Sequence, residues 1–476
     1  MQTFSFAPMA AELFVLVMSC VVMLVDLFVP GPNRRNSFWM AQATLLGALL
    51  ITINLASMPD ALVYGAHFMH DSLGTVLKVG LYIVTAIALL YARAYIAERQ
   101  FMRGEYYLLS LLAMLGAMVL ITAYSLLTIY LGLELMSLSL YAMVAMQRDS
   151  KQAPEAAMKY FVMGALASGF LLFGMSLLYG VTGHITIPHL SMLPSDEGAL
   201  MLYRFALVFI VAGIAFKLGA VPFHMWIPDI YHGAPTSVTA FLGSAPKIAA
   251  FAMIMRLLTE ALPEVKADWV VMLAALAVAS LVIGNIAAIA QSNLKRLLAY
   301  SAIAHMGYFL IGIASGTSEG YAASMFYILV YALMTLGGFG MILFLSRAGF
   351  ESDNLNDLKG LWQRSPWYAL LMMLVMMSMA GIPPFIGFWP KLQVFMAAVN
   401  AGQVWLALTG AVFSLIGCYY YLKVVKVMFF DQAEDKSPIT ASTAMRVAIS
   451  ANGLAMLVLG LFPSTILAYC LKAFGG

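Results

Sequence analysis

Apolar runs of about 20 residues, repeated from one end of the chain to the other, set the first constraint on its fold. A run of that length spans a bilayer as a helix, and only helices or closed barrels satisfy their own backbone there. The runs are continuous rather than alternating, which excludes a transmembrane β-barrel. The reading is an all-α, polytopic membrane protein of about 14 transmembrane helices. Expected spans lie near residues 10–29, 38–57, 72–94, 106–122, 124–146, 157–181, 201–219 and 236–258. Six more lie near 268–290, 297–315, 322–346, 367–386 (continuing brokenly to 399), 403–429 and 445–470. Composition agrees: charged residues are 10% of the 476, where a soluble domain carries roughly 25%.

Lysine and arginine orient the bundle. Loops after odd-numbered spans, with their flanks, hold 17 of them, including Arg34, Arg99, Arg103, Arg148, Lys295, Arg296 and Lys436. The other side holds 4: Arg204, Arg256, Lys266 and Lys472. The positive-inside rule therefore puts the odd loops in the cytoplasm and both termini outside. The first ten residues lack the basic region of a secretory signal, and no mitochondrial-type presequence is visible, which favours a bacterial source. The loops are too short for a soluble catalytic domain. No Gly-x-Gly-x-x-Gly, P-loop, Cys-x-x-Cys or His-Glu-x-x-His motif occurs. Cys20, Cys418 and Cys470 have no metal-like spacing and read as packing residues. A net charge of +3 without a basic block gives no sign of nucleic acid as a partner. Expected in this chain are thus no bound cofactor and no metal.

Charges stand where they are expensive. A charge at mid-bilayer costs at least about 2.5–3.5 kcal/mol, so it pairs, faces water or works. Glu134 sits in LTIYLGLELMSLSLY, Lys217 in VAGIAFKLGAVPFH, Lys247 in FLGSAPKIAAFAM and Lys391 in GIPPFIGFWPKLQVF. Low dielectric disfavours the charged form of a lysine and an opposing carboxylate restores it, so a movable Glu134–Lys217 pair is a tunable proton donor. The alternative is an ion pair that only ties two helices. His224 and His305 lie in similar settings, and imidazole exchanges protons near neutral pH. Near His305, Tyr300, Ser301 and Tyr308 offer hydroxyls to extend a wet chain. Lys78 and Lys159 fit snorkelling to an interface better. Asp26, His67 and His70 read as interfacial.

Two spans are interrupted alike. Gly219-Ala220-Val221-Pro222-Phe223 is followed by Pro228, and Gly381-Ile382-Pro383-Pro384-Phe385 by Pro390. They fall in spans seven and twelve. An odd offset of five places the copies in opposite orientations, which predicts an inverted repeat of five helices with ion sites at the breaks. Expected divisions are an N-terminal three-helix segment (1–105), a first half-channel repeat (106–260, spans 4–8), a second (265–430, spans 9–13) and a C-terminal span (431–476). The lysines are out of register between the copies, since Lys217 precedes its glycine and Lys391 follows the second proline. The cluster Gly337-Gly338-Phe339-Gly340 reads as close helix packing.

These runs, with FKLGAVPFHMWIPDIYHGAPTSVTAFL and QSNLKRLLAYSAIAHMGY, resemble the antiporter-like membrane subunits of respiratory complex I, which are related to multi-subunit cation/proton antiporters. The resemblance covers most of residues 105–430. Among bacterial members it favours one without a long C-terminal amphipathic extension and with lysine, at Lys391, in the second broken helix. It implies a proton-translocating subunit of an NADH:quinone oxidoreductase, with Glu134 and Lys217 as the coupled pair. Lys247 matches the central lysine and Lys391 that of the second break. His224, His305 and Lys159 match polar positions of a relay. Lys78 matches nothing in the family pattern. The resemblance further implies a parent complex using FMN, iron–sulfur clusters and quinone, none of them held here. It implies an antiporter-like neighbour, small membrane subunits and the lipid bilayer as partners, and the bacterial cytoplasmic (inner) membrane as location. A cation/proton antiporter or a hydrogenase-type complex is the alternative.

Overall fold

The computed structural model describes residues 6–28, 34–99, 101, 104–192, 194, 196–433, 437, 439 and 441–475. Arg103 and Lys436, counted toward orientation, lie outside the described residues, as does residue 29 of the first expected span. In chain order the helices are α1 (Ala10–Phe28), α2 (Arg35–Leu55), α3 (Ser72–Glu98), α4 (Gly104–Thr122), α5 (Leu126–Val144), α6 (Gln152–Thr182) and α7 (Glu197–Leu218). Then come α8 (Trp226–Gly233), α9 (Thr236–Leu242), α10 (Ala245–Ile254), α11 (Lys266–Ile289), α12 (Leu294–Ala314) and α13 (Ser318–Leu345). The last are α14 (Leu361–Arg364), α15 (Pro366–Ala380), α16 (Phe388–Asn400), α17 (Val404–Phe430), α18 (Thr443–Leu461) and α19 (Ser464–Lys472).

Among the described residues, 13 helices are long and apolar enough to cross a membrane, and the pair α15 and α16 supplies the expected broken span. The chain is a multi-pass, all-α membrane protein. Four details depart from the sequence reading. Pro222 ends span seven at Leu218, and α8 follows as a separate half-helix. The eighth span is divided at Gly243-Ser244 and finishes as a π-helix, Met255–Glu260. The last span stops at Leu461, because Pro463 separates it from α19. The loop after α2 carries a small antiparallel hairpin, β1 (Ala61–Val63) on β2 (Phe68–His70), with Ala61 opposite His70.

Side chains start several helices by supplying acceptors for backbone N–H groups that a first turn leaves orphaned. The Ser125 hydroxyl accepts from Thr128 N at the head of α5. Asn293 does the same for Arg296 N at α12 and Thr317 for Gly320 N at α13.

The chain divides into two compact units. The first comprises Met1–Ala86, Met102–Leu218 and Ala245–Met272. Here α4 and α5 touch backbone to backbone: a Cβ on Gly116 would lie 2.4 Å from Met136 N, and one on Gly132 2.7 Å from Leu120 N. Without a hydrophobic drive between helices in lipid, such small-residue contacts hold them. The second unit comprises Ile87–Phe101, Gly219–Ser244 and Leu273–Gly476. Within it the Gly337–Gly340 cluster packs as expected: a Cβ on Gly340 would lie 2.5 Å from the Tyr91 ring, and one on Gly337 2.9 Å from Val375. Overpacking of this kind costs about 1–3 kcal/mol. Gly132→Val is therefore expected to lower the thermal midpoint of the purified protein, while Ala113→Gly leaves α4 seated on α5; a thermal-shift series in detergent measures both.

Candidate functional site: lysines on broken helices

The two breaks free backbone carbonyls in the same places. In an α-helix, carbonyl i accepts from the N–H of residue i+4. Leu218 O would need Pro222, which has no N–H, and Lys217 O would need Val221 N, which donates instead to Ser280 Oγ at 2.9 Å. In the other copy Met379 O and Ala380 O would need Pro383 and Pro384, and neither has an N–H. Each helix turns out through a glycine in the left-handed region, Gly219 at φ +77° and Gly381 at φ +80°. An orphan carbonyl in a dry interior costs free energy comparable to a lost hydrogen bond.

An ammonium fills each gap. Lys247 Nζ, from α10 of the first unit, donates to Lys217 O at 2.9 Å and Leu218 O at 2.7 Å. Lys391 Nζ, from α16 of the second, donates to Met379 O at 3.2 Å and Ala380 O at 2.9 Å, and to Ser414 Oγ at 3.1 Å. Counted from the glycine, the accepting carbonyls are identical. The lysines that correspond by contact are thus Lys247 and Lys391, not Lys217 and Lys391. A helix C-terminus also carries partial negative charge, so a cation there is favoured twice over. Both lysine side chains are buried.

Lys217, in the last turn of α7, is held differently. Its Nζ donates to Ser137 Oγ at 2.9 Å, and no ion pair joins it to Glu134 among the described residues. Ser137 stands one turn beyond Glu134 on α5, so both groups present one face to Lys217. Glu134 is half-buried, and its Oε1 is enclosed without a hydrogen-bond partner. The pair is open in this state, with Ser137 occupying the ammonium. Sequence reasoning missed Ser137, although its i+3 spacing from Glu134 was the available signal.

His305 is the centre of a hydroxyl network in the second unit. Its Nδ1 lies 2.7 Å from Tyr327 OH and its Nε2 3.1 Å from Tyr421 OH, and Tyr421 OH in turn bonds Ser301 Oγ. The Tyr308 ring meets the His305 ring edge-on at 6.2 Å, and Lys391 Nζ lies 4.7 Å above the Tyr308 ring. Asn285 joins Tyr308 OH to Tyr420 OH, at 3.5 and 3.2 Å. Ser301 and Tyr308 were expected here; Tyr300 is not part of the network, and Tyr327, Tyr421 and Asn285 come from spans too distant in sequence to be seen. His224 follows the first break, half-buried, its Nδ1 enclosed without a partner.

Two lysines depart from this pattern. Lys159 is exposed and pairs with Glu155 one turn earlier at 2.9 Å, so the fold does not bring it to the other lysines. Lys78 does not snorkel: it is buried, 3.1 Å from Glu12 Oε1. A partner 66 residues away removes the need to reach an interface. Among the four basic residues expected outside, Arg256 is buried in ion pairs with Asp71 (2.5 Å) and Glu260 (2.7 Å), and Arg204 pairs with Asp268 at 3.2 Å. Of the interfacial group, Asp26 pairs with Arg34 at 3.3 Å and His67 Nδ1 lies 2.9 Å from Ser125 Oγ.

Residues 123–417 match the transmembrane family described as NADH:quinone oxidoreductase/Mrp antiporter. The chain is 53% identical over 465 residues to NADH-quinone oxidoreductase subunit N of Thioalkalivibrio sulfidiphilus, covering 97% of each. It is 54% identical over 471 residues to that of Thiobacillus denitrificans, covering 99% of this chain and 98% of the relative. A chain of respiratory complex I from Thermus thermophilus superposes with a TM-score of 0.82 at 33% identity, covering 96% of this chain and 98% of that one. A chain of the Mrp complex from Dietzia sp. shares the fold alone, with a TM-score of 0.86 at 23% identity, covering 98% and 97%.

The cap makes its own prediction. Gly381→Ala places a Cβ 2.7 Å from Lys391 Cδ at a positive φ, whereas Gly402→Ala, at φ +78°, meets nothing within 4 Å. Both carry the backbone penalty, of about 1–2 kcal/mol, so the excess loss of thermal stability in Gly381→Ala over Gly402→Ala reads the disturbed cap. Equal losses would mean that the Lys391 contact contributes nothing.

Proposed function

The chain belongs to the NADH:quinone oxidoreductase/Mrp antiporter membrane family, and on that premise we propose that Glu134, Lys217, Lys247 and Lys391 carry its protons. It is a proton-translocating membrane subunit of an NADH:quinone oxidoreductase, and its partners are the other membrane subunits of that complex. Quinone reduction takes place elsewhere in the complex. FMN, iron–sulfur clusters and quinone belong to the neighbouring subunits in this reading.

One observation carries the assignment: lysine ammoniums sit on freed carbonyls at both helix breaks, in spans that are otherwise apolar. A carbonyl pair accepts from an ammonium and still accepts from a neutral amine, so these lysines keep a hydrogen bond in both protonation states. The step begins with a change of charge beside Glu134. Lys217 then leaves Ser137 for the Glu134 carboxylate, whose Oε1 is open to it. Closing that pair stabilises the Lys217 ammonium and changes the field at Lys247, whose Nζ bonds the Lys217 carbonyl. Lys247 exchanges its proton in the first unit. In the second, Lys391 exchanges by way of Ser414 and the His305–Tyr421–Ser301 hydroxyls. His224 extends the first break toward water, and Lys159 takes the part of an outlying acceptor on α6.

Spans 4–8 and 9–13, residues 106–260 and 265–430, form the two inverted half-channels of this scheme, following the N-terminal segment 1–105 and before the last span in 431–476. The charge bias of 17 against 4 supports a bacterial cytoplasmic membrane with both termini on the outer side. A cation/proton antiporter shares the fold at 23% identity, while full-length identity of 53% and 54% favours the redox complex.

Inverted membrane vesicles carrying Lys217→Ala test the reading. NADH-driven proton uptake and quinone reductase activity are expected to lose most of their rate, while NADH–ferricyanide activity, the control for assembly, holds. Wild-type uptake in this variant would make Lys217 a helix tie.

A further inference from the structure

The N-terminal helices hold a buried ion pair that the route above does not use. Lys78 Nζ on α3 lies 3.1 Å from Glu12 Oε1 on α1, with the side chains 4% and 3% exposed. Lys78, Tyr82 and Thr85 stand at i, i+4 and i+7, on one face of α3. Tyr82 OH lies 3.1 Å from Thr52 Oγ1 of α2. This polar line runs through a three-helix segment otherwise filled by residues such as Val15, Val22, Leu77 and Leu81, all fully buried.

The line has spare capacity. Glu12 Oε2 and Thr85 Oγ1 are enclosed without hydrogen-bond partners, and an ammonium has three donors, of which the contact with Glu12 uses one. Buried polar groups left over in this way are met by internal water. A tie between helices explains the arrangement poorly. Two buried charges pay desolvation that their attraction often fails to repay, and an apolar pair of the same volume packs as well or better.

Depth gives the pair a direction. Lys78 is six residues into α3, about 9 Å at 1.5 Å per residue, and Glu12 is at a similar depth in the span Ala7–Phe28. Both spans begin on the outer side in the orientation proposed above, on which this inference rests. In a hydrocarbon core of about 30 Å, the pair lies in the outer third.

We propose that Glu12 and Lys78 form a proton-binding site on the outer side of the N-terminal three-helix segment, exchanging protons with outer water. A proton passing from Lys78 Nζ to Glu12 Oε1 turns ammonium and carboxylate into amine and carboxylic acid, with no net change. The acid gives its proton to water on the outer side. The amine takes a proton from water in the polar line, which restores the ionic pair and completes the transfer of one proton.

The assay uses the intact complex in inverted vesicles and reads protons taken up per NADH oxidised, with NADH–ferricyanide activity for assembly. Lys78→Arg keeps the charge and the bond to Glu12, but a guanidinium does not release its proton. Glu12→Leu with Lys78→Leu removes the charges and keeps an apolar contact. Both are expected to assemble and to lose part of the proton yield, while Glu12→Asp retains it. Wild-type yield in Lys78→Arg and in the double variant overturns the site, and so does failure of both to assemble, since the pair is then structural. Lys217→Ala in the same assay keeps the two readings apart: full uptake there, with a loss in Lys78→Arg, sinks the lysine route and leaves this site standing.

Discussion

A helix that is broken inside a membrane has carbonyls that nothing else in the bilayer will satisfy, and the two buried lysines at the breaks answer that need. The sequence creates the deficit residue by residue. Pro222, Pro383 and Pro384 remove three donors, and Ser280 draws away a fourth, Val221 N. Lys247 and Lys391 then bond the same two positions before each glycine. The arrangement resolves two costs together. The carbonyls gain a donor, and each ammonium, expensive at that depth, gains negative partial charge from the helix end. In the proposed route, the cap keeps a protonatable group at a fixed point while leaving its charge free to change.

The structure holds a contrast between two Glu–Lys arrangements. Glu12 and Lys78 are closed at 3.1 Å, whereas Lys217 donates to Ser137 and makes no ion pair with Glu134. A closed buried pair holds its charges until a proton moves. In the route proposed above, the open pair closes when a neighbouring charge changes, and such a two-state element is what long-range coupling requires. Glu134 stands on α5 beside the close backbone contact of that helix with α4 at Gly116 and Gly132.

Much of this was legible in the sequence because membrane helices write their length and their cost plainly. The span count, both breaks, and the burial of Lys247 and Lys391 follow from apolar runs, prolines and isolated charges. What stayed hidden were partners distant in the chain. Nothing near Lys78 announces Glu12, and nothing near His305 announces Tyr327 or Tyr421. The correspondence of Lys247 with Lys391 was hidden for a related reason: the match lies in which carbonyls they reach, and Lys247 comes from a different helix to do so. Proline chemistry alone specifies which carbonyls are orphaned, so that part could have been read in advance.

The central claim is that the capping lysines exchange protons and do not merely close helix ends. Lys247→Arg separates these roles, because arginine keeps a cation and donors for Lys217 O and Leu218 O but stays charged. The account predicts an assembled complex, with NADH–ferricyanide activity intact, whose NADH-driven proton uptake in inverted vesicles collapses. Uptake at the wild-type rate in that variant would show that the cap is structural and that the protons travel elsewhere.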